Sequence, residues 1–196
     1  SIGAITAIVL NLLFFHTGNK QGTQVSRAVG KSVSLQQLNG ASREEFVSAL
    51  RPLFNNETWP LELAWESRPF GDVNELRAAI QVAVLTADDS RRAALIHDYP
   101  AMDELLLADA DEAATISADR GSLGLTDLDD VQTERITELS AAYRERFDMP
   151  FVAYLDTNDT VDRVIDAGVR RLANSPEQEY RTALGEIVEI ANDRFD

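Results

Sequence analysis

From residue 34 onward, apolar residues recur every three or four positions, and no stretch alternates regularly between apolar and polar residues. This spacing puts the apolar side chains on one face of a helix, whereas a half-buried strand would need alternation. The pattern therefore predicts a series of amphipathic helices. Their apolar positions are Phe46, Val47, Leu50, Leu53 and Phe54; Val73, Leu76, Ile80 and Val84; Ile136, Leu139, Tyr143 and Phe147; Val161, Val164, Ile165, Val169 and Leu172; and Tyr180, Leu184, Ile187 and Val188.

Helix start signals precede several of these segments. They are the capping pairs Ser42-x-x-Glu45 and Asp72-x-x-Glu75, the proline Pro60, and the N-cap with a first-turn proline in Ser175-Pro176. Residues 88–99 fit another short helix that ends before Pro100. Residues 101–129 are rich in Asp, Ala and Gly and give no clear element. Residues 149–155 are predicted to form a short extended run.

These elements indicate an all-α fold, because only one short run is extended. We predict a single compact helical domain of about seven to eight helices spanning residues 34–196. The 44% apolar content is sufficient for a core. Residues 17–33 are polar, contain glycine and show no period, so they are predicted to be a linker.

An apolar segment, residues 1–16, precedes the linker. Residues 2–15 are apolar apart from Thr6 and Asn11, but they fall short of the roughly 20 residues needed to cross a bilayer. The stretch GAITAIVLNLLF resembles the last transmembrane helix of nucleobase (uracil/xanthine) permeases. The resemblance implies a remnant of a fused permease, and a cytoplasmic domain that meets the membrane only through this segment. The alternative is a buried helix, or a sequence that begins mid-gene at Ser1.

Charge separates the two parts of the chain. Residues 1–40 contain three basic residues and no acid, whereas residues 41–196 contain all 33 acids and 15 arginines. A domain this acidic repels phosphate backbones, so nucleic acid is not expected as a partner. We interpret the excess of carboxylates as a halophilic adaptation to a salty cytoplasm, where counterions screen their repulsion. The alternative is an acidic mesophilic protein that is not adapted to high salt concentrations.

Several kinds of site are excluded by residue type. The chain has no cysteine, which rules out disulfides, thiolate metal sites and cysteine nucleophiles. His16 and His97 are its two histidines, so a multi-histidine metal site is also excluded and no metal is predicted. The sequence contains no glycine-rich phosphate loop and no nucleophile elbow.

Three stretches carry a family resemblance. They are LQQLNGASREEFVSAL with the later Arg68-Pro69-Phe70, LSAAYRERFDMPFV at 139–152, and RRLANSPEQEYRTALGEIVEIANDRF at 170–195. In this order and over about 160 residues, the chain resembles the OHCU decarboxylases. These enzymes act on 2-oxo-4-hydroxy-4-carboxy-5-ureidoimidazoline (OHCU) in urate breakdown.

The resemblance implies an all-helical, usually homodimeric enzyme that uses no metal or organic cofactor. Its reaction is loss of the substrate carboxylate, followed by stereospecific protonation to give S-allantoin. In the family, the histidine of a His-Pro pair is the main acid/base group and a Ser-x-x-Glu pair holds the ureidoimidazoline. An arginine near the C-terminus binds anionic oxygen, and the backbone of a Phe-Pro-Phe segment lines the pocket.

At the positions that match the family's acid/base and ureide-binding groups, this chain has other residue types. The His-Pro pair becomes Tyr99-Pro100, with His97 two residues earlier as the alternative acid/base group. Positions two apart on a helix lie about 200° around its axis, so His97 should point away from Tyr99. The other matches are Asp119 for the glutamate, Ile116 for the serine and Arg120 for the following glutamine.

The arginine and the pocket segment fit better. Arg171 matches the arginine, and its forked donors suit a carboxylate. The pocket segment falls on Phe147, Met149, Pro150 and Phe151, with Asp148 where the family usually has glycine.

Three functions remain open on this basis. The first is an active OHCU decarboxylase, and the second is a pseudoenzyme that binds a ureide or purine metabolite without turnover. The third is a helical module fused to a nucleobase permease. Tyr99 and Ile116 favour the second over the first, whereas Arg171 and the Phe147–Phe151 segment argue against the third.

Overall fold

The computed structural model describes residues 24–25, 33–107, 128–154 and 159–195, and within them the predicted all-α fold is confirmed. Two short strands, β1 (Gln24–Val25) and β2 (Val33–Ser34), pair in antiparallel fashion ahead of the helices. The helices are α1 (Leu35–Gly40), α2 (Arg43–Leu50), a 3-10 turn (Arg51–Leu53), α3 (Trp59–Trp65), α4 (Val73–Thr86), α5 (Asp89–His97), α6 (Met102–Leu107), α7 (Asp130–Phe147), α8 (Val161–Arg171) and α9 (Pro176–Phe195).

The helices begin where local chemistry satisfies their first backbone N–H groups. Ser42 and Glu45 form the predicted capping box, each side chain accepting from the other residue's backbone N–H. Asp72 accepts from the N–H of Glu75, as predicted. The Glu75 carboxylate, however, accepts from the backbone N–H of Gly71, with 2.7 Å between the nitrogen and Oε2. Because these caps are formed by residues three positions apart, the helix starts could be predicted from the sequence.

The structural positions of Val33 and Val169 differ from the sequence predictions. Val33 lies in β2 rather than in a linker, and Ser34 then caps α1. Of the predicted extended run 149–155, residues 149–154 are described; they are not helical and pair with no strand. The apolar spacing predicts Val169 on the apolar face of α8, but it is 53% exposed. Its neighbour Gly168 faces α7 instead, and successive residues on a helix point about 100° apart.

Helix α9 runs through the centre of the domain. It packs against α4, α5, α7 and the 3-10 turn, while α3 packs on α2 and α4, and α6 and α8 both pack on α7. Because it has neighbours on several sides, α9 buries apolar residues along its whole length. These residues are Ala183, Leu184, Ile187, Val188, Ala191 and Phe195.

Helices α7 and α8 approach closely at Gly168. A Cβ atom there would lie 2.5 Å from Cδ2 of Leu139 and 2.9 Å from Cζ of Phe151. Both neighbours are buried, so they have little room to move aside. A glycine at this position is therefore needed for the helix packing and for the placement of Phe151.

Gly168→Ala should lower the free energy of unfolding by about 1–2 kcal/mol, because overpacking outweighs the gain in helix propensity. Gly185→Ala is the matched control, since a Cβ on this α9 glycine meets nothing within 4 Å. That variant should gain about 0.5–1 kcal/mol. Urea unfolding of both variants measures the difference, and equal effects of the two substitutions would contradict the close approach.

Candidate active site

The dipeptide Tyr99-Pro100 lies just beyond the C-terminal end of α5. The N–H of Tyr99 donates to the carbonyl of Ile96 at 3.2 Å, which closes the last turn. The Tyr99 side chain is turned into the core and is 7% exposed, whereas His97 is exposed. Of the two candidate acid/base residues, Tyr99 is therefore the one that faces the interior.

Two asparagines fasten this helix end to the loop after the 3-10 turn. The N–H and Nδ2 of Asn56 each donate to one carboxylate oxygen of Asp98, both at 2.7 Å. Asn55 donates from Nδ2 to the carbonyl of Asp98 at 3.2 Å. Hydrogen bonds to a charged acceptor are among the stronger ones. The backbone at Asp98, the residue before Tyr99, is therefore firmly held.

Arg194, near the end of α9, joins the same cluster. Its Nη1 donates to the carbonyl of Leu53 at 3.1 Å and to Oδ1 of Asn55 at 3.2 Å. Asn55 therefore connects Arg194 to the residue that precedes Tyr99. The family resemblance indicates Arg171 as the C-terminal arginine of the site and does not single out Arg194. The available signal was the end of the last family motif, where Arg194-Phe195 stands in IANDRF.

Arg171 lies at the end of α8, in a different network. Its Nε and Nη2 donate to Oε1 of Glu179 at 2.9 and 2.6 Å, and its Nη1 donates to the carbonyl of Val152 at 3.0 Å. A longer contact of 3.4 Å joins Nη1 to Glu186. The guanidinium also lies over the ring of Phe151, 4.9 Å from its centroid. Protein acceptors thus engage all three of its nitrogens.

The partner carboxylate, Glu179, is fully buried, and the Arg171 side chain is 13% exposed. Glu179 also accepts from the Tyr143 hydroxyl at 3.1 Å and from Nδ2 of Asn174 at 2.7 Å. Burial raises the pKa of Tyr143 well above its usual value, although Arg171 acts in the opposite direction. The phenol therefore stays protonated and remains a donor. Such full hydrogen bonding is what allows a charge to be buried.

The predicted pocket segment connects α7 to this network. Asp148 ends α7 in a left-handed conformation (φ 55°), which aspartate tolerates and which explains why the family usually has glycine there. Met149 and Phe151 are then buried. The Phe151 ring packs on Tyr143 with centroids 4.9 Å apart. The segment is thus fixed at its start by α7 and at its end by Arg171.

Three candidate site residues, Ile116, Asp119 and Arg120, lie outside the described residues. The chain that leads toward them is anchored at α6, where the Asp103 carboxylate pairs with both terminal nitrogens of Arg144 on α7. The N–H of Asp103 also donates to Oγ of Ser140 at 3.4 Å.

Elsewhere, an open groove of about 500 Å³ lies along α2 and α3, lined by Arg43, Glu44, Val47, Ser48, Arg51 and Glu62. It contains none of the candidate site residues. In the ranges that the structure describes, no group of three His, Asp or Glu side chains is placed to hold a metal ion. None of the helices described there is long and apolar enough to cross a membrane.

Comparison with known proteins agrees with the resemblance. The family model for OHCU decarboxylase matches residues 39–196. The chain is 37% identical over 165 residues to the 2-oxo-4-hydroxy-4-carboxy-5-ureidoimidazoline decarboxylase of Haloferax volcanii, covering 83% of this chain and 94% of that protein. It is 32% identical to the protein of the same name from Mus musculus, covering 83% and 91%.

A solved structure shares the fold. The crystal structure of (S)-allantoin synthase matches with a TM-score of 0.63 at 23% identity, covering 83% of this chain and 52% of that one. The chain therefore spans about half the length of that protein. Fold and sequence together define the class as the small all-helical decarboxylases. The chain belongs to the OHCU decarboxylase family.

Proposed function

We propose that the protein decarboxylates OHCU to S-allantoin without a metal or organic cofactor. The observation that carries the proposal is the placement of Tyr99. The structure turns Tyr99 into the interior at the end of α5, where Asn55 and Asn56 hold the preceding residue Asp98. The family resemblance indicates that Tyr99 takes the position of the histidine. A proton donor fixed in this way suits the protonation that follows loss of a carboxylate.

In this mechanism, the bond between the substrate carboxylate and its ring carbon breaks and carbon dioxide leaves. The electron pair stays on the ring system, where fixed donors stabilise the developing charge. The Tyr99 phenol then donates its proton to that carbon and is reprotonated from water. A phenol with a pKa near 10 can donate a proton but is a weak base at neutral pH, so turnover should be slow.

The remaining roles follow the family pattern. The backbone of Met149-Pro150-Phe151 and Pro100 would line the pocket. Asp119 and Arg120 would bind the ureide, with Ile116 adding an apolar contact where the family has a hydroxyl. The anionic oxygen needs an arginine, and Arg171 is the residue that the resemblance indicates. Arg194 is the second candidate, because Asn55 connects it to the backbone beside Tyr99.

The second candidate function is a pseudoenzyme that binds a ureide without turning it over. Tyr99 favours it, because phenol replaces imidazole at the position that carries proton transfer in the family. Both functions place the same ligand in the same pocket, so turnover separates them.

The test is the appearance of S-allantoin, followed by circular dichroism, from freshly generated OHCU. We expect slow but measurable decarboxylation by the wild type, and the same rate in His97→Ala because His97 is exposed. Allantoin binding without turnover would support the pseudoenzyme. If His97→Ala abolishes a fast wild-type reaction, His97 is the acid/base group and the assignment of Tyr99 is wrong.

A homodimer is expected from the resemblance, and a cytoplasmic location fits an enzyme of a small purine metabolite. The halophilic interpretation rests on the 33 acids among residues 41–196. The roles of the apolar segment 1–16 and the linker 17–33 stay predictions, and residues 1–16 lie outside the described residues.

A further inference from the structure

Glu186 is a half-buried acid on α9 that lies within the family stretch at 170–195 but has no role assigned to it. Its Oε2 accepts from the backbone N–H of Tyr154 at 2.7 Å. Its Oε1 faces Nη1 of Arg171 at 3.4 Å, and that same Nη1 donates to the carbonyl of Val152 at 3.0 Å. One carboxylate therefore holds residues 152–154 both directly and through an arginine.

These contacts lie at the far end of the predicted pocket segment. Its near end is fixed at α7, where the N–H of Asp148 donates to the carbonyl of Arg144 at 3.1 Å. Between them, residues 149–151 have no strand partner to set their backbone direction. The position of their N–H and C=O groups therefore depends on how the two ends are held.

Placing an acid here is unfavourable by itself. Burial raises the pKa of Glu186, although the N–H of Tyr154 and the charge of Arg171 partly offset this. A neutral side chain would avoid that penalty, and an apolar one would fill the same space. The geometry therefore requires a hydrogen-bond acceptor at this position and not only a side chain of this size.

We propose that Glu186 is a positioning residue for the substrate pocket, holding the backbone of Val152–Tyr154 so that residues 149–151 present their backbone groups to the ureide. This inference rests on the proposed function, because it assumes that the segment lines the pocket. Glu186 acts through the backbone and Arg171 and does not itself touch substrate.

Glu186→Met and Glu186→Gln test this role as a matched pair, since both keep the size of the side chain and only Gln keeps an acceptor. We expect Glu186→Met to raise KM for OHCU about tenfold or more, with a smaller change in kcat, because a displaced backbone weakens substrate binding. Glu186→Gln should restore KM to within about threefold of the wild type, since its carbonyl oxygen accepts from Tyr154. Glu189→Met, on the exposed side of the same helix, is the control and should leave KM unchanged.

Hydrogen exchange of the Tyr154 amide, followed by NMR, tests the hydrogen bond from Tyr154 to Glu186 without an activity assay. Protection should fall in Glu186→Met and return in Glu186→Gln. Equal protection in all variants, or an unchanged KM in Glu186→Met, would overturn the inference. A Gln variant as impaired as the Met variant would also overturn it, since charge rather than an acceptor would then matter. If the wild type fails to turn over OHCU, the proposed function fails, and the Tyr154 amide still decides whether Glu186 holds the segment.

Discussion

Tyr99→His should raise the rate of OHCU decarboxylation by about a hundredfold to ten-thousandfold, the usual contribution of a positioned proton-transfer group. Imidazole titrates near neutral pH, whereas phenol does not, so histidine can both donate and recover a proton during turnover. The backbone before residue 99 is held by Asn55 and Asn56 through Asp98, independently of the Tyr99 side chain. The backbone should therefore place the new imidazole side chain at the same point from which the phenol side chain now extends.

Tyr99→Phe is the matched control, because it keeps the ring in the core and removes only the hydroxyl. It should eliminate the residual wild-type activity while leaving the thermal unfolding midpoint close to that of the wild type. Rates are measured from S-allantoin formation at several pH values, and the gain in Tyr99→His should be largest near neutral pH. A Tyr99→Phe variant as active as the wild type would show that the phenol is not the proton donor.

The helices could be predicted from sequence because their signals are local. Ser42 and Glu45 cap α2 within one turn, and Asp72 does the same for α4. The orientation of His97 and Tyr99 also followed from helix geometry, since two positions lie about 200° apart. The structure shows His97 exposed at the last residue of α5 and Tyr99 buried just beyond the helix end, so the two side chains differ in exposure as that angle predicts.

The environment of the arginines could not be predicted in this way. The family resemblance indicates Arg171 as the group that binds anionic oxygen, and in the structure its guanidinium binds the carboxylate of Glu179. That contact joins two helices across the turn at residues 172–175, so no spacing within one helix reveals it. In a chain with 33 acids, nothing local marks Glu179 as the one that is fully buried. The contacts of Arg194 could not be predicted for the same reason, because its partners are 139 and 141 residues away.

Arg171→Ala should lower the free energy of unfolding by about 3–5 kcal/mol, the usual effect of leaving one charge of a buried pair without its partner. Glu179 would keep Tyr143 and Asn174 as donors but lose both nitrogens of the guanidinium. The carbonyl of Val152 would lose its donor as well. Loss of OHCU turnover should therefore accompany this loss of stability.

The neighbouring Arg170, which is exposed, provides the control. Arg170→Ala should change stability by less than about 0.5 kcal/mol, as is usual for surface substitutions. Combining Arg171→Met with Glu179→Gln should recover part of the lost stability, because the fully buried carboxylate of Glu179 is then no longer left without its cation. The recovery should be incomplete, since half-buried Glu186 still loses Arg171. Urea unfolding and allantoin binding are measured on each variant. If Arg171→Ala stays as stable as the wild type yet loses allantoin binding, Arg171 contacts the ligand directly, as the family resemblance implies. If it loses stability while the double variant still binds allantoin, the anion is held by another group, and Arg194 is the residue to replace next.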